Sequence, residues 1–423
     1  MITYHPWRDD ISVGNTLSNI FRGMEDKIIF ANLYIRDDKP CNKIVKRYFH
    51  ISEKAMLRNI IHFLHSEIGE EVSSVNEDGE KEPFSKGYNA ARRLRWDIFL
   101  YAQDLIGVFG QWKSKSLDDF IMDFKPDIIF GPLGRIPITN RIMYSLNRKY
   151  GIPMVAYAWD DHYSLKKFSF SPFFWARLFL ERKYIRLCAK QSKFLYTITP
   201  LMQKEYSKLF NKKCKLLYKG YNFDFRPMYR PPVKPFKIIY MGNIGAGRYK
   251  TLEKMVSIIN RTNGKELKFK LDIYTMSPIT DKIKKALNKG ACRLLSPVPS
   301  SEVMKTMQSA DILLHVEPQN LKERLLFRLS FSTKIVDYMY NAKCILAIGG
   351  NTGTIKYLKG SQSALIAANK HDIEIILKEI CDNPLILKSF SDKAWECGQN
   401  NHQITLIQKA LFSDLKNIIN DAN

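Results

Sequence analysis

Short apolar runs alternate with longer amphipathic stretches along most of the chain. Apolar runs bounded by glycine, proline or polar residues are typical of buried strands, and apolar residues with helical spacing are typical of amphipathic helices. The predicted strands are residues 1–5, 27–34, 125–131, 152–158, 194–200, 237–241, 271–275, 293–295, 312–317 and 344–348. The predicted helices include residues 53–68, 88–124, 334–341, 373–380 and 404–419.

A proline-rich stretch at residues 223–236 divides this alternation into two halves. Strands that alternate with helices favour parallel sheets covered by helices on both faces. The sequence therefore predicts an α/β protein with two doubly wound domains. We place the first domain at residues 1–220, a linker at 221–236, the second domain at 237–400 and a C-terminal helix within 401–423.

The segment 324–350 carries the most informative pattern. The hydroxyls of Ser330, Ser332 and Thr333 precede the predicted helix, which starts with Lys334 and carries Asp337 one turn further on. A helix start with a lysine attracts an anion, and a carboxylate accepts hydrogen bonds from vicinal sugar hydroxyls. This order suits the diphosphate and ribose of a nucleotide. The alternative is an ordinary capped helix, although a capping box would place the acid at residue 336.

The run from Leu329 to Met339 and the strand after it resemble the donor-binding segment of bacterial GT-B glycosyltransferases. The likeness is closest to family-4 and capsular-polysaccharide enzymes, with the pattern S-x-x-K-x-x-E-Y-[ML]-A-x-G-[KR]-P. Asp337 replaces the usual Glu, Asn341-Ala342 replaces Ala-x-Gly, and Cys344 replaces the Pro. Leu329 stands where the first Glu of the family's E-x7-E pair would fall. The resemblance implies a GT-B fold with two facing Rossmann-like domains, in which the last helix crosses back to the first.

A glycine-rich stretch follows the predicted strand at 237–241. Its order, G-x-x-G-x-G, differs from the dinucleotide fingerprint, but small residues after a strand let the backbone approach a diphosphate. It resembles the family's G-N-[IL]-G-x-G-R, in which the arginine neutralises the leaving diphosphate. The resemblance gives that role to Arg248, with Lys250 as a weaker second. The candidate donor-binding residues here are Gly242, Asn243, Gly245, Gly247 and Lys250.

The remaining candidates follow other strands. Asp160, Asp161 and His162 follow the strand at 152–158, at the edge where α/β folds place ligands, and we assign them to the catalytic site with Arg248 and Lys334. The alternative is structural. One of the two aspartates would cap the next helix, and His162 would be held by hydrogen bonds within the protein. Gly14 matches a glycine that faces the donor phosphates in the family, or is a plain turn glycine. Glu317 contacts the donor sugar or lies at the rim.

The net charge of +24 calls for an acidic partner. Residues 164–196 hold eight Lys or Arg against one Glu, interleaved with aromatics, which suits an anionic membrane surface, or else a solvated face over core aromatics. No signal peptide and no run of 18 apolar residues is found, and seven scattered Cys indicate reduced thiols. We expect a cytoplasmic protein, peripheral on the inner face of the membrane, and no nucleic-acid partner.

These observations together predict a glycosyltransferase. It would move a sugar from a nucleotide-diphosphate sugar to a glycan or polyprenol-linked glycan acceptor in surface polysaccharide biosynthesis. Likeness to the family implies retention of configuration. No D-x-D occurs, so we expect no metal and no cofactor. The alternatives are a GT-B nucleotide-sugar epimerase and a non-catalytic basic protein that binds membrane or nucleic acid.

Overall fold

The computed structural model of the chain describes residues 1–62, 67–73 and 97–421. Parts of two predicted helices, residues 63–66 and 88–96, lie outside these ranges. The chain forms two compact units. The first comprises Met1–Leu165, Ser169–Leu217 and Gln408–Asn423, and the second comprises Lys166–Phe168 and Tyr218–Ile407. None of the helices in the described ranges is long and apolar enough to cross a lipid bilayer.

The first unit contains two sheets and helices that pack on them. Its strands are β1 (Phe30–Tyr34), β2 (Val45–Ile51), β3 (Gly69–Val72), β4 (Ile129–Pro132), β5 (Met154–Ala158), β6 (Leu195–Thr197) and β7 (Cys214–Leu216). Its helices are α1 (Ser12–Phe21), α2 (Glu53–His62), α3 (Asp97–Phe109), α4 (Lys115–Phe124), α5 (Pro137–Tyr150), α6 (Pro172–Gln191) and α7 (Pro200–Phe210).

The two sheets of the first unit are linked by the start of the chain. One sheet has the order β1-β2-β3 and the other the parallel order β4-β5-β6-β7. The amide of Ile2 donates to the Phe130 carbonyl at 2.9 Å, and the amide of Leu33 donates to the Met1 carbonyl at 2.9 Å. The predicted strand at 1–5 was therefore too long, because only Ile2 forms a bridge, with Leu33.

Two further strand boundaries differ from the prediction. The apolar residues Ile28 and Ile29 suggested that the strand starts early, but the amides of Lys27 and Ile28 both donate to the Met24 carbonyl in a turn. Lys125 caps the end of α4 in a left-handed conformation, so β4 starts only at Ile129. A turn after α1 and a left-handed cap after α4 therefore separate these helices from the strands that follow.

The second unit is built on one parallel six-stranded sheet. Its strands are β8 (Phe236–Met241), β9 (Phe269–Tyr274), β10 (Cys292–Leu295), β11 (Ile312–Val316), β12 (Cys344–Ile348) and β13 (Leu365–Ala367). Its helices are α8 (Arg248–Asn263), α9 (Asp281–Leu287), α10 (Val303–Gln308), α11 (Leu321–Leu326), α12 (Lys334–Tyr340), α13 (Gly353–Gly360), α14 (Lys370–Asp382) and α15 (Leu385–His402). The helix α16 (Ile404–Asn420) begins in the second unit and continues in the first.

The core of the second unit explains why these segments form buried strands. All five residues of β11 and all five of β12 are buried, as expected for central strands of a parallel sheet. Their apolar side chains pack with those of β8 and α8 in one continuous cluster. Because this core is rigid, it fixes the positions of the loops at the carboxyl ends of the strands.

Candidate functional site

The strand order of the second unit indicates a ligand site at the carboxyl ends of its central strands. The order is β10-β9-β8-β11-β12-β13, so the chain runs outward in one direction after β8 and in the other after β11. In open α/β sheets, ligands bind outside the carboxyl ends of the strands at such a switch point. The loop 242–247 follows β8 and Glu317 follows β11, and both therefore lie at the switch point.

The glycine-rich loop is held in place by its own hydrogen bonds. The Asn243 side-chain oxygen accepts from the Gly245 amide at 2.6 Å and from the Ser277 hydroxyl at 3.1 Å. The Asn243 carbonyl accepts from the Tyr240 hydroxyl at 2.8 Å. Asn243 therefore shapes the loop. The sequence pattern alone could not distinguish this role from direct contact with a donor.

Two of the loop glycines suit the local geometry. A Cβ at Gly242 would lie 2.6 Å from the Lys334 ammonium nitrogen, so any side chain there would displace that group. Gly247 has a φ of 80° and forms the N-cap of α8 without a side-chain hydrogen bond. A left-handed conformation at this position favours glycine. The amino end of α8 therefore has no side-chain cap at this position.

Lys334 brings a partly buried positive charge to the switch point. It is the first residue of α12, and its ammonium donates to the Met241 carbonyl at 3.0 Å. Burial and the nearby positive charges of Arg248 and Lys219 together lower the pKa of Lys334 to about 8, although Asp337 opposes them. An added anion would relieve this repulsion and favour the charged ammonium.

Arg248 lies against a buried carboxylate. Its guanidinium is 3.8 Å from Glu317 Oε2 and lies over the Phe327 ring, 4.6 Å from its centroid. The other oxygen, Glu317 Oε1, is 3.0 Å from Nε2 of the buried His315. Glu317 is 3% exposed, and its Oε2 has no hydrogen-bond donor within the described ranges. A buried oxygen left without a donor is costly, so it is suited to accept one from a ligand.

Asp337 is engaged by two residues that the sequence pattern did not indicate. Its Oδ1 accepts from the Lys219 ammonium and from the Tyr221 hydroxyl, both at 2.6 Å. The Tyr221 ring stacks on Tyr340 with centroids 4.4 Å apart. Lys219 and Tyr221 precede Asp337 by more than 100 positions, so no local spacing connects them. The only available signal was the position of Lys219-Gly220-Tyr221 at the end of the first half of the chain.

The helix α12 starts without a side-chain cap at its N-cap residue. Thr333 occupies the N-cap position in a helical conformation, and its side chain accepts no capping hydrogen bond. The Ser332 amide donates to the Thr354 hydroxyl at 3.0 Å, and the Ser330 carbonyl accepts from the same hydroxyl at 3.4 Å. The alternative of an ordinary capped helix is therefore not met at Thr333, and the Thr354 hydroxyl of α13 orders this loop.

Positive charges outnumber negative ones at the switch point. Three cations, Arg248, Lys334 and Lys219, stand against two carboxylates, Glu317 and Asp337. The cations are close enough to lower the pKa of Lys334, so they repel one another. Lys250, in the first turn of α8, is exposed and adds a further positive charge. A bound diphosphate would offset this excess.

The other predicted site residues belong to the first unit. Gly14 lies in α1, where a Cβ would be 1.9 Å from the Arg8 carbonyl oxygen, so close packing accounts for this glycine. Asp161 is buried and accepts hydrogen bonds from the Ser164 amide at 3.0 Å and the Tyr206 hydroxyl at 3.2 Å. It therefore orders the segment after β5, but it does not cap the next helix, because the N-cap of α6 is Ser171. Asp160 and His162 are partly exposed beside it.

Comparisons with known proteins agree on the fold. No family model and no curated protein matches the sequence. Among solved structures, HepE from Anabaena in complex with UDP and glucose is similar with a TM-score of 0.61 and 9% identity, over 98% of each chain. Sucrose-phosphate synthase from Thermosynechococcus elongatus gives a TM-score of 0.62 and 10% identity, over 100% of this chain and 99% of that one.

A third solved structure, WaaG, is a glycosyltransferase involved in lipopolysaccharide biosynthesis. It is similar with a TM-score of 0.58 and 11% identity, over 97% of each chain. All three similarities extend over essentially the full length of the chain. The prediction of an α/β protein with a GT-B fold is therefore confirmed.

Proposed function

We propose that the protein is a glycosyltransferase that uses a nucleoside diphosphate sugar as donor. The cluster of Arg248, Lys334 and Lys219 at the switch point of the second unit is the observation that carries this proposal. The similarity to HepE, which was solved with UDP and glucose, supports it. An acceptor hydroxyl would form the new bond to the anomeric carbon and lose its proton, and the nucleoside diphosphate would leave with the glycosidic oxygen.

The donor would lie along the carboxyl ends of β8 and β11. Gly242, Gly245 and Gly247 would let the backbone approach the diphosphate, which Arg248 and Lys334 would neutralise as it leaves. A pKa of about 8 keeps most of the Lys334 ammonium charged at neutral pH. Electrostatic stabilisation of this kind needs no metal, so we propose metal-independent transfer.

The ribose and the sugar would contact the two carboxylates. Asp337 is one methylene shorter than the usual Glu, and Lys219 and Tyr221 hold its Oδ1. Its other oxygen would accept from a ribose hydroxyl. Glu317 Oε2 would accept from a hydroxyl of the donor sugar, because that oxygen is buried and lacks a donor among the described residues. Ser330, Ser332 and Thr333 would contact the phosphates from the loop before α12.

We propose that residues of the first unit bind the acceptor. Asp160 and His162 follow β5, and we propose that they contact the acceptor, whereas Asp161 positions them. Leu329 is fully buried, so the first Glu of the E-x7-E pair has no substitute there. We also propose that the transfer retains the anomeric configuration, because the chain resembles a family of retaining enzymes. A glycan or polyprenol-linked glycan acceptor in surface polysaccharide synthesis is supported by the likeness to WaaG.

Contact with an anionic membrane is part of the same proposal. Along α6 and the segment before it, Phe170 is 91% exposed and Phe179 is 58% exposed, next to exposed Lys183 and Arg186. The opposite side of the helix is buried through Leu178, Ile185 and Cys188. Exposed aromatics with basic neighbours suit the interface of an anionic leaflet. We propose the inner face of the cytoplasmic membrane.

Turnover of nucleotide sugars tests the proposal. A panel of radiolabelled nucleoside diphosphate sugars would be incubated with the full chain and EDTA, with and without glycan or polyprenyl phosphate glycan acceptors. We expect acceptor-dependent release of nucleoside diphosphate with label moving to the acceptor. Nucleotide release without an acceptor would favour the epimerase alternative. No turnover of any donor would favour the non-catalytic basic protein.

A further inference from the structure

A cavity of about 830 Å³ lies in the first unit, away from the carboxyl ends of its strands. Residues at the amino ends of β1, β2 and β4 line it, including Phe30, Lys46 and Ile129. Its volume falls within the usual range of small-molecule sites, about 300–1,000 Å³. Because α/β domains bind substrates at the carboxyl ends of the strands, this cavity lies away from the position expected for glycosyl transfer.

The walls of the cavity are mainly apolar and partly open to solvent. Ile29 is 70% exposed, and Ile28, Phe124 and Ile128 are partly exposed. Apolar surface left in water lowers the stability of a fold, and a clustered patch of it commonly marks a binding site. An apolar ligand would cover these side chains.

One wall is formed by α16 through Phe412, Leu415 and Ile419. This part of the helix is fixed by polar contacts within the first unit. The Gln408 amide donates to the Ile20 carbonyl at 2.9 Å and to the Arg22 carbonyl at 2.8 Å. Asp414 accepts from the Tyr196 hydroxyl at 2.8 Å and also pairs with Lys215. The wall is therefore preformed, and binding would not need to order it.

Lysine side chains surround this apolar cavity. Lys27, Lys46, Lys125 and Lys416 line it, all are exposed, and none forms an ion pair with a residue in the described part of the chain. Arg47 also lines it but is already held by Glu71 at 2.7 Å and Asp123 at 2.6 Å. Asp127 is the remaining acid of the lining. The rim is therefore positive.

We propose that this cavity binds the hydrocarbon chain of an anionic lipid, and that the rim lysines contact its head group. An apolar interior with unpaired cations at its rim complements a single chain that ends in a carboxylate or phosphate. An amphipathic peptide would be recognised mainly by its apolar face, and four lysines around one cavity favour an anion instead. The inference does not depend on the donor site of the second unit.

Fluorescence of cis-parinaric acid, a fatty acid with a conjugated chain, tests the site on the full-length protein. We expect saturable binding below the micelle concentration and displacement by oleoyl lysophosphatidate or oleate. Oleoyl lysophosphatidylcholine, whose head group carries no net charge, should compete at least tenfold less well. Equal competition by this lipid would overturn the role of the lysines. A preference between lysophosphatidate and oleate identifies the head group.

Two matched pairs of variants locate the binding. Ile29→Trp fills the mouth of the cavity and should weaken parinarate binding at least tenfold, whereas Ile375→Trp, at an exposed position of α14, should not. Lys416→Glu should weaken binding several-fold, whereas Lys409→Glu on the same helix should not. Thermal unfolding of each variant checks its folding. Absence of probe binding, or equal effects within both pairs, would overturn the proposal.

Discussion

The Lys334 ammonium lies in surroundings that favour its neutral form more than water does. Its pKa is lowered to about 8 by burial and by the charges of Arg248 and Lys219. A diphosphate gains most from this site when the ammonium is charged. Binding and protonation of Lys334 are therefore coupled, and this coupling is measurable.

Affinity for a nucleoside diphosphate should fall as the pH rises above 8. The dissociation constant of the wild type should rise by up to about tenfold for each pH unit, because free Lys334 must take up a proton. Lys334→Arg should bind with an affinity that is independent of pH over the same range, since arginine stays charged. Calorimetric titration at pH 7, 8 and 9 measures this. The same pH dependence in both proteins would contradict the assignment.

Glu317 offers a test that separates sugar binding from nucleotide binding. Glu317→Gln removes one negative charge beside Arg248, so affinity for the free nucleoside diphosphate should stay equal or increase. Turnover of the nucleotide sugar should fall by about tenfold to a hundredfold, because a hydrogen bond to a charged group contributes about 1.5–3 kcal/mol. Calorimetry and a turnover assay give the two quantities. A parallel loss of both would indicate that Glu317 only supports the fold.

Individual residues also show where sequence reasoning stopped. Lys334 and Arg248 were predicted from a family resemblance in the loops before them, and each begins a helix in the structure. Lys219 and Tyr221 could not, because their contact with Asp337 depends on how distant segments pack. Asp161 looked like a catalytic carboxylate, but its burial and its hydrogen bonds to Ser164 and Tyr206 were invisible in the sequence.

At the scale of elements, the last turn of α15 connects to the donor side of the second unit. The buried His402 donates from Nδ1 to the Lys219 carbonyl at 3.0 Å and accepts at Nε2 from the Tyr357 hydroxyl at 2.9 Å. Burial lowers the pKa of His402 to about 4. The neutral ring thus fixes the backbone of Lys219, whose side chain holds Asp337.

The stability of this arrangement should depend on pH in a defined direction. Between pH 6.5 and 4 the unfolded state binds a proton at His402 and the folded state does not, so stability decreases as the pH falls. His402→Gln should cost about 1–3 kcal/mol at pH 7 through weaker hydrogen bonds. At pH 5 its deficit should shrink by roughly 2 kcal/mol, since each pKa unit corresponds to about 1.4 kcal/mol. Urea unfolding at both pH values measures this, and an unchanged deficit would contradict it.

The elements themselves were predicted best where they are buried on all sides. The apolar runs at 344–348 and 237–241 gave strands within one residue of β12 and β8, because a central parallel strand must be apolar throughout. The run at 27–29 misled, because a partly exposed turn can be as apolar as a strand. The strand at 1–5 was overestimated for another reason, because Ile2 and Thr3 are buried like a strand although only Ile2 forms a bridge.

At the scale of the whole molecule, the alternation of strands and helices was sufficient to predict an α/β protein. The family resemblance added the GT-B fold, which the solved structures bear out. The lipid-sized cavity was not foreseen, because its walls come from β1, β2, β4 and α16, which are far apart in the sequence. Long-range packing of this kind leaves no local pattern.

The net charge of +24 leads to a prediction about membranes. The protein should sediment with anionic vesicles at low ionic strength and be released by salt, because each basic residue near the surface contributes about 1 kcal/mol and salt screens it. Phe170→Ser should weaken this binding several-fold, whereas Phe225→Ser, at a comparably exposed position in the second unit, should not. Equal binding to neutral vesicles, or equal effects of the two substitutions, would contradict the proposal.

We propose that Lys334 and its neighbours bind the diphosphate of the donor. Thermal unfolding with UDP, GDP, ADP and dTDP tests it most directly, because a ligand at 100 times its dissociation constant stabilises by about 2.7 kcal/mol. Lys343→Ala is the matched control, since Lys343 is also partly buried with a lowered pKa but precedes β12 at the opposite edge of the sheet. We predict that one nucleotide stabilises the wild type and Lys343→Ala, and that Lys334→Ala loses the shift. An equal shift in Lys334→Ala would contradict the proposed role of Lys334. No shift of the wild type with any of the four nucleotides would contradict the proposed donor site.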